Sequence, residues 1–270
     1  MRIDLKALSL LLVVGCGGGG GTDTTTLPAP APEEPTPMAE NPPPAEPTTP
    51  AEPAAPAEPV KPVIPDAPTA GPDIYKAVFE NDKVRVFEIT FAPGAKIAMH
   101  QHPDHAIYAL TAGTLKITTE SGETKDMTLK KGDAGFFPGE SHSAENATDK
   151  EVKAVLVELK PGAAFTAAPK AGDPLKVGKN IYKKVFENDR VRILTINFKK
   201  GASIKAHSHP DHVVFITSAG TLKISPAEGE PQEMALEVGQ AVMLDAGIHS
   251  AKNIKGNPQA VVFELKPVAH

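Results

Sequence analysis

From Val84 onward, apolar and polar positions alternate in short bursts. Val84, Val86 and the run Phe87 to Phe91 read as one strand, stopped by Pro93-Gly94. Leu115, Ile117 and Thr119 alternate with lysine and threonine up to the turn pair Ser121-Gly122. Lys131-Gly132-Asp133 is a further turn, and Val152 to Leu159 is an apolar run of strand length. Short runs of this kind, bounded by Gly, Pro and Asp and without a sustained 3.6-residue period, predict an all-β sandwich or barrel with minimal helix.

The pattern then returns with an offset of 107 residues. Ile74-Tyr75-Lys76 recurs as Ile181-Tyr182-Lys183, and Val78-Phe79-Glu80-Asn81-Asp82 as Val185-Phe186-Glu187-Asn188-Asp189. Gly113-Thr114-Leu115-Lys116 recurs as Gly220-Thr221-Leu222-Lys223. Near the end one residue is deleted, so Glu158-Leu159-Lys160-Pro161 matches Glu264-Leu265-Lys266-Pro267. A period this long marks a duplicated domain and not a solenoid.

The first quarter of the chain is of another kind. Of 28 prolines, 17 lie between Pro28 and Pro72, and the tract repeats Ala-Glu-Pro at Ala45, Ala51 and Ala57. Such a segment has little apolar surface to bury and favours extended polyproline II, which predicts a disordered tether. Residues 1–72 hold three bases and nine acids, so the net charge of −5 divides into −6 there and +1 in the remainder. With no basic stripe, the electrostatic footprint of a nucleic-acid partner is missing.

Met1 to Gly15 carries Arg2 and Lys6, then an apolar run from Ala7 to Val14 too short to span a bilayer. The sole cysteine, Cys16, follows Val13-Val14-Gly15 directly. This resembles a bacterial lipoprotein signal, in which cleavage precedes a cysteine that is then lipidated. The resemblance implies a membrane partner through the lipid, and Gly17 in place of Asp is similar to outer-membrane sorting. The expected organisation is a signal peptide at 1–15, a lipidated tether at 16–72, one domain at 73–165, a connection at 166–180 and a second domain at 181–268.

Eight of nine histidines fall into two matching sets: His100, His102, His105 and His142, then His207, His209, His212 and His249. Residues at i and i+2 on a strand share a face, so each His-x-His pair projects two imidazoles to one side. A neighbouring strand supplies a third. The expected cofactor is a divalent transition metal: Zn, Fe, Ni, Cu or Mn.

Gly94, His100, His102 and Gly113, followed by Gly132, Pro138, His142 and Asn146, resemble the two motifs of the cupin family. Gly201, His207, His209, Gly220, Gly239, His249 and Asn253 repeat them. The resemblance implies two tandem cupin barrels, a bicupin. It also implies metal ligation by His100, His102, His142, His207, His209 and His249. Cupins usually add a glutamate from the first motif, but Ala106 and Val213 stand at that position. Two placements are open for His105 and His212: a bulge after Pro-Asp turns them inward to replace that glutamate, or they lie on the rim. Pro138 becomes Asp245 in the second copy.

Three functions remain open: a metal-dependent module binding a small molecule, a metal-dependent enzyme (dioxygenase, isomerase or decarboxylase), and a structural bicupin. Tyr108 becomes Phe215 and Glu88 becomes Thr195; two readings are open, that the first pocket is better supplied with polar groups or that both differences are ordinary strand-face variation.

Overall fold

The computed structural model describes residues 63–268. Cys16, the signal segment and the tether as far as residue 62 lie outside the described residues. A short helix, α1 (Ala67–Ala70), opens the first half. Nine strands follow: β1 (Tyr75–Glu80), β2 (Val84–Phe91), β3 (Lys96–His102), β4 (His105–Ala109), β5 (Gly113–Thr119), β6 (Thr124–Leu129), β7 (Ala134–Phe137), β8 (Glu140–Glu145) and β9 (Val152–Leu159). They form two antiparallel sheets, ordered β1-β2-β9-β4-β7 and β3-β8-β5-β6.

The second half repeats the plan with α2 (Pro174–Val177), β10 (Tyr182–Glu187), β11 (Val191–Asn197), β12 (Ser203–His209), β13 (His212–Pro226), β14 (Gln232–Leu236), β15 (Ala241–Leu244) and β16 (Gly247–Leu265). Here β13 does the work of β4 plus β5, and β16 that of β8 plus β9, so the strands of the second half join into one seven-stranded sheet. The bend falls where the β13–β16 register slips, between Ile216 and Leu222. Extra residues in a ladder sharpen local twist, which lets one strand turn such a corner.

The alternation expected from sequence decides what each face touches. On β2, Phe87, Ile89 and Phe91 enter the barrel interior, and Val84 and Val86 face the other way. Those outward side chains, with Val155 and Val157, form one buried cluster with Val191, Ile193, Val213, Val261 and Phe263 of the second barrel. The two barrels therefore share a sheet-on-sheet core. At its edge the ion pairs Lys83–Asp211 (2.8 Å) and Arg190–Asp104 (2.6 Å) repeat one another under the duplication. Burial of each aliphatic side chain contributes roughly 1.5–3 kcal/mol. A partly exposed ion pair contributes about 0–1 kcal/mol, so the apolar face holds the halves together.

Two glycines of the repeat are explained by backbone. Gly94 and its counterpart Gly201 take φ of 75° and 74°, values that a side chain makes costly. Gly113 has Val152 packed against its α-carbon, so a Cβ there would collide with that side chain.

The expected tether boundary at residue 72 requires correction. Asp66 caps α1 by accepting from Thr69 N at 3.2 Å, and Ala67 is fully buried. Pro65 O accepts from Gln101 N at 2.9 Å, which docks the segment on β3. The equivalent helix α2 lies inside the expected connection 166–180, capped by Asp173. Proline density hid this start. Pro68 sits in the first turn of α1, where its missing N–H costs nothing.

Candidate metal centre

His100 and His102 occupy alternate positions of β3, and His142 stands across from His100 on β8. The ladder slips between Ile97 and His100, and again between Ile204 and His207 opposite His249. A bulge of this kind re-aims side chains beside a site. In each barrel the three histidines offer ring nitrogens that lie within 4.8 Å of one another: His100, His102 and His142, then His207, His209 and His249. The expected triads are therefore brought together.

Hydrogen bonds prepare the rings. His100 Nδ1 donates to Ala98 O at 2.8 Å, and His207 Nδ1 to Lys205 O at 2.9 Å. His102 Nδ1 donates to Glu158 Oε1 at 2.8 Å, and His209 Nδ1 to Glu264 Oε1 at 2.6 Å. A donating Nδ1 fixes the tautomer and leaves the Nε2 lone pair free for an ion. Burial lowers the pKa of His100 and His207. Burial, then the neighbouring imidazoles, pushes His142 and His249 down to about 3. All four are neutral at pH 7, the form that ligates. Within the triad His142 Nδ1 is a buried nitrogen without a hydrogen-bond partner among the described residues. Clustered imidazoles fit a borderline divalent ion better than Mg or Ca, which take oxygen.

A chain of charges supports each triad from behind. Arg85 Nε meets Glu158 Oε2 at 2.8 Å, and Arg85 Nη1 meets Asp66 Oδ2 at 2.8 Å. Arg192 bonds Glu264 and reaches Asp173 Oδ2 at 2.7 Å. Glu158 and Glu264 are each 1 % exposed, and an unpaired carboxylate there would be strongly destabilising. Burial drives Glu264 up, but bonds from His209 and Arg192 outweigh it and hold its pKa below the usual range.

Tyr75 adds a hydroxyl 3.3 Å from both His100 Nε2 and His102 Nε2. Tyr182 OH stands 3.2 Å from His207 Nε2 and 3.5 Å from His209 Nε2. Burial and the nearby glutamate raise both phenols well above their ordinary pKa, so each is a neutral donor where the lone pairs converge. Sequence reasoning noted these tyrosines and glutamates only as markers of the repeat.

His105 and His212 resolve differently from either expectation. Strand parity alone turns them inward, with no bulge, and they are 3 % and 4 % exposed, so neither is a rim residue. His105 Nδ1 donates to Pro103 O at 2.9 Å, and its ring stacks on Phe137. Neither belongs to the sets whose ligand atoms lie mutually within 4.8 Å. Burial, then the adjacent His102 or His209, lowers each to about 4. Ala106 and Val213 face the shared core between the barrels.

Beside the first triad lies a cavity of about 60 Å³. Tyr75, His102, His105 and His142 line one end, and Ile107, Leu115, Phe137 and Leu156 line the rest. Tyr108 does not reach it: that ring packs on the shared core, and Glu88 lies beside Gly239 of the second barrel. Of the two readings of these residues, ordinary strand-face variation is therefore the one the fold supports. Glu140 lines the cavity instead, and Gly247 holds its place in the second barrel.

A protein-family model described as the cupin domain matches residues 87–166. The β-alanine degradation protein BauB of Pseudomonas aeruginosa is 39 % identical over 83 residues, 30 % of this chain and 86 % of BauB. A cupin domain from Bordetella pertussis Tohama I is 29 % identical over 36 % of this chain and 97 % of that one, with a TM-score of 0.31. Oxalate decarboxylase of Bacillus subtilis is 14 % identical and aligns over 72 % of each chain with a TM-score of 0.54, a likeness of fold.

Proposed function

Because this chain belongs to the cupin superfamily and folds as a tandem pair, we propose that each barrel binds one divalent transition ion and that the first presents it to a small molecule. The observation that carries this is the pair of triads, in each of which the three imidazoles bring ring nitrogens within 4.8 Å of one another, with every ring buried except the half-buried His249. Three nitrogen ligands leave coordination positions open, through which a bound ion would act as a Lewis acid. His100 and His102 are the ligands from β3, and His142 is the ligand from β8. Tyr75 would donate its hydroxyl proton to a ligand held there, while Glu158 keeps His102 oriented.

The cavity beside the first triad favours a small, largely apolar ligand with one oxygen or nitrogen donor. Among the described residues no lysine or arginine lines it. That gives no support for carrying over an amino-acid substrate from the name of BauB. A metal-dependent enzyme is the second reading, favoured by the Tyr75 hydroxyl at the same end of the cavity. The Mn(II) centres named for the Bacillus subtilis oxalate decarboxylase belong to a protein 14 % identical. Metal choice here rests on the imidazole donors, which suit Zn, Fe, Ni and Cu. The domains are proposed to be held at the bacterial envelope by lipid on Cys16.

Metal analysis of the purified chain tests this reading. One ion per barrel is expected, with His142→Ala removing the first and His142→Ala/His249→Ala removing both. Full occupancy in the double variant would refute the assignment of ligands.

A further inference from the structure

The two histidine sets differ in one carboxylate. In the first barrel Glu140 stands across the strands from His102, and in the second Gly247 stands across from His209. Glu140 lines the cavity on the face that carries His142, with Oε1 3.2 Å from His142 Nδ1. That oxygen lies off the bonding direction, so Nδ1 remains buried without a partner among the described residues. The Glu140 side chain is 41 % exposed and can rotate to make the bond. In the same barrel His102 already has Glu158 behind its Nδ1.

We infer that Glu140 is a positioning residue for His142 and makes the first barrel the tighter of two unequal metal sites. The carboxylate accepts a hydrogen bond from Nδ1–H, which orients the ring with Nε2 towards the ion and raises its basicity. Partners of this kind change metal affinity by about 10- to 100-fold. Because Glu140 is half exposed, solvent weakens its field, and the expected difference is about 10-fold. Among the described residues His249 has no such carboxylate at this position, since Gly247 carries no side chain. The inference rests on the proposal that the triads hold metal.

Zn²⁺ titration of the metal-free full chain against a chromophoric chelator tests it. His249→Ala isolates the first site and His142→Ala the second, and the first should bind about 10-fold more tightly. Adding Glu140→Ala to the His249→Ala chain should abolish that advantage. Adding Gly247→Glu to the His142→Ala chain should strengthen the second site. A Cβ at Gly247 meets nothing closer than Asp245 O at 3.7 Å, so this gain cannot be blamed on repacking. Equal affinities in the two single variants, or an unchanged first site after Glu140→Ala, would overturn the inference and leave the metal reading standing. Absence of saturable binding in both single variants would overturn the metal reading and this inference with it.

Discussion

His105→Leu should make the metal-free protein less sensitive to acid. Burial, then proximity to His102, lowers His105 to about 4 in the folded protein. Its unfolded value is about 6.5. Above pH 6.5 the ring is neutral in both states and contributes no pH dependence. Below pH 6.5 the unfolded chain takes up a proton that the folded chain refuses, so stability falls as pH falls. The slope is one proton, about 1.4 kcal/mol per pH unit, until the folded ring titrates near pH 4. By pH 5 the loss is about 2 kcal/mol, and at full protonation about 3.4 kcal/mol. Urea unfolding at pH 8, 6.5 and 5 in the presence of chelator reads it directly. With a urea slope on the order of 2 kcal/mol per molar, 2 kcal/mol is about 1 M in midpoint. The variant also loses the bond to Pro103 O and the stack on Phe137, so its stability at pH 8 differs. The informative quantity is the pH slope, which should be shallower by one proton. Parallel profiles for variant and wild type between pH 6.5 and 5 would refute the claim that His105 is buried neutral.

Glu158→Gln should weaken metal binding in the first barrel by about 10- to 100-fold and leave the second near its original affinity, read in the His249→Ala background. A chain beginning at residue 73 should be less stable than one beginning at residue 63. It loses two hydrogen bonds to Gln101, about 2 kcal/mol at roughly 1 kcal/mol each, and the partly exposed Arg85–Asp66 pair, about 0–1 kcal/mol, measurable in urea. Cys16→Ser should move the protein from the membrane fraction to the soluble one, and equal membrane retention would end the lipoprotein proposal.

The fold was legible because strand period and turn chemistry agree. Val152 to Leu159 reads as a strand and forms β9 over those residues, and Pro93-Gly94 reads as a turn with Gly94 at positive φ. The duplication was legible because each barrel keeps the same inward and outward positions. What failed was the boundary at 72. Asp66-Ala67-Pro68 is a helix start, yet it lies within the proline tract, and composition averaged over many residues overrides a capping signal three residues long. The comparison with Asp173-Pro174 at the same offset of 107 was available, because a cap that recurs with the domain belongs to the domain.

The triads were legible for a different reason than the groups that support them. Histidine is rare enough that two equal sets stand out, and the His-x-His spacing states its own geometry. Glutamate is common, and in a chain with 33 acids Glu158 draws no attention by type. Its position does. Val152, Ala154 and Leu156 face the first barrel's interior, so parity places Glu158 there too, one carboxylate on the inner face of an otherwise apolar strand. A buried carboxylate is retained only with partners, and an inward histidine with an inward arginine on β2 are the partners parity offers. The same argument applied to Tyr108 and Glu88 places them on the opposite face, which is why their differences between copies say nothing about the cavity. Assigning faces before judging residues would have recovered Glu158 and Arg85, and would have set aside Tyr108 and Glu88, from the sequence alone.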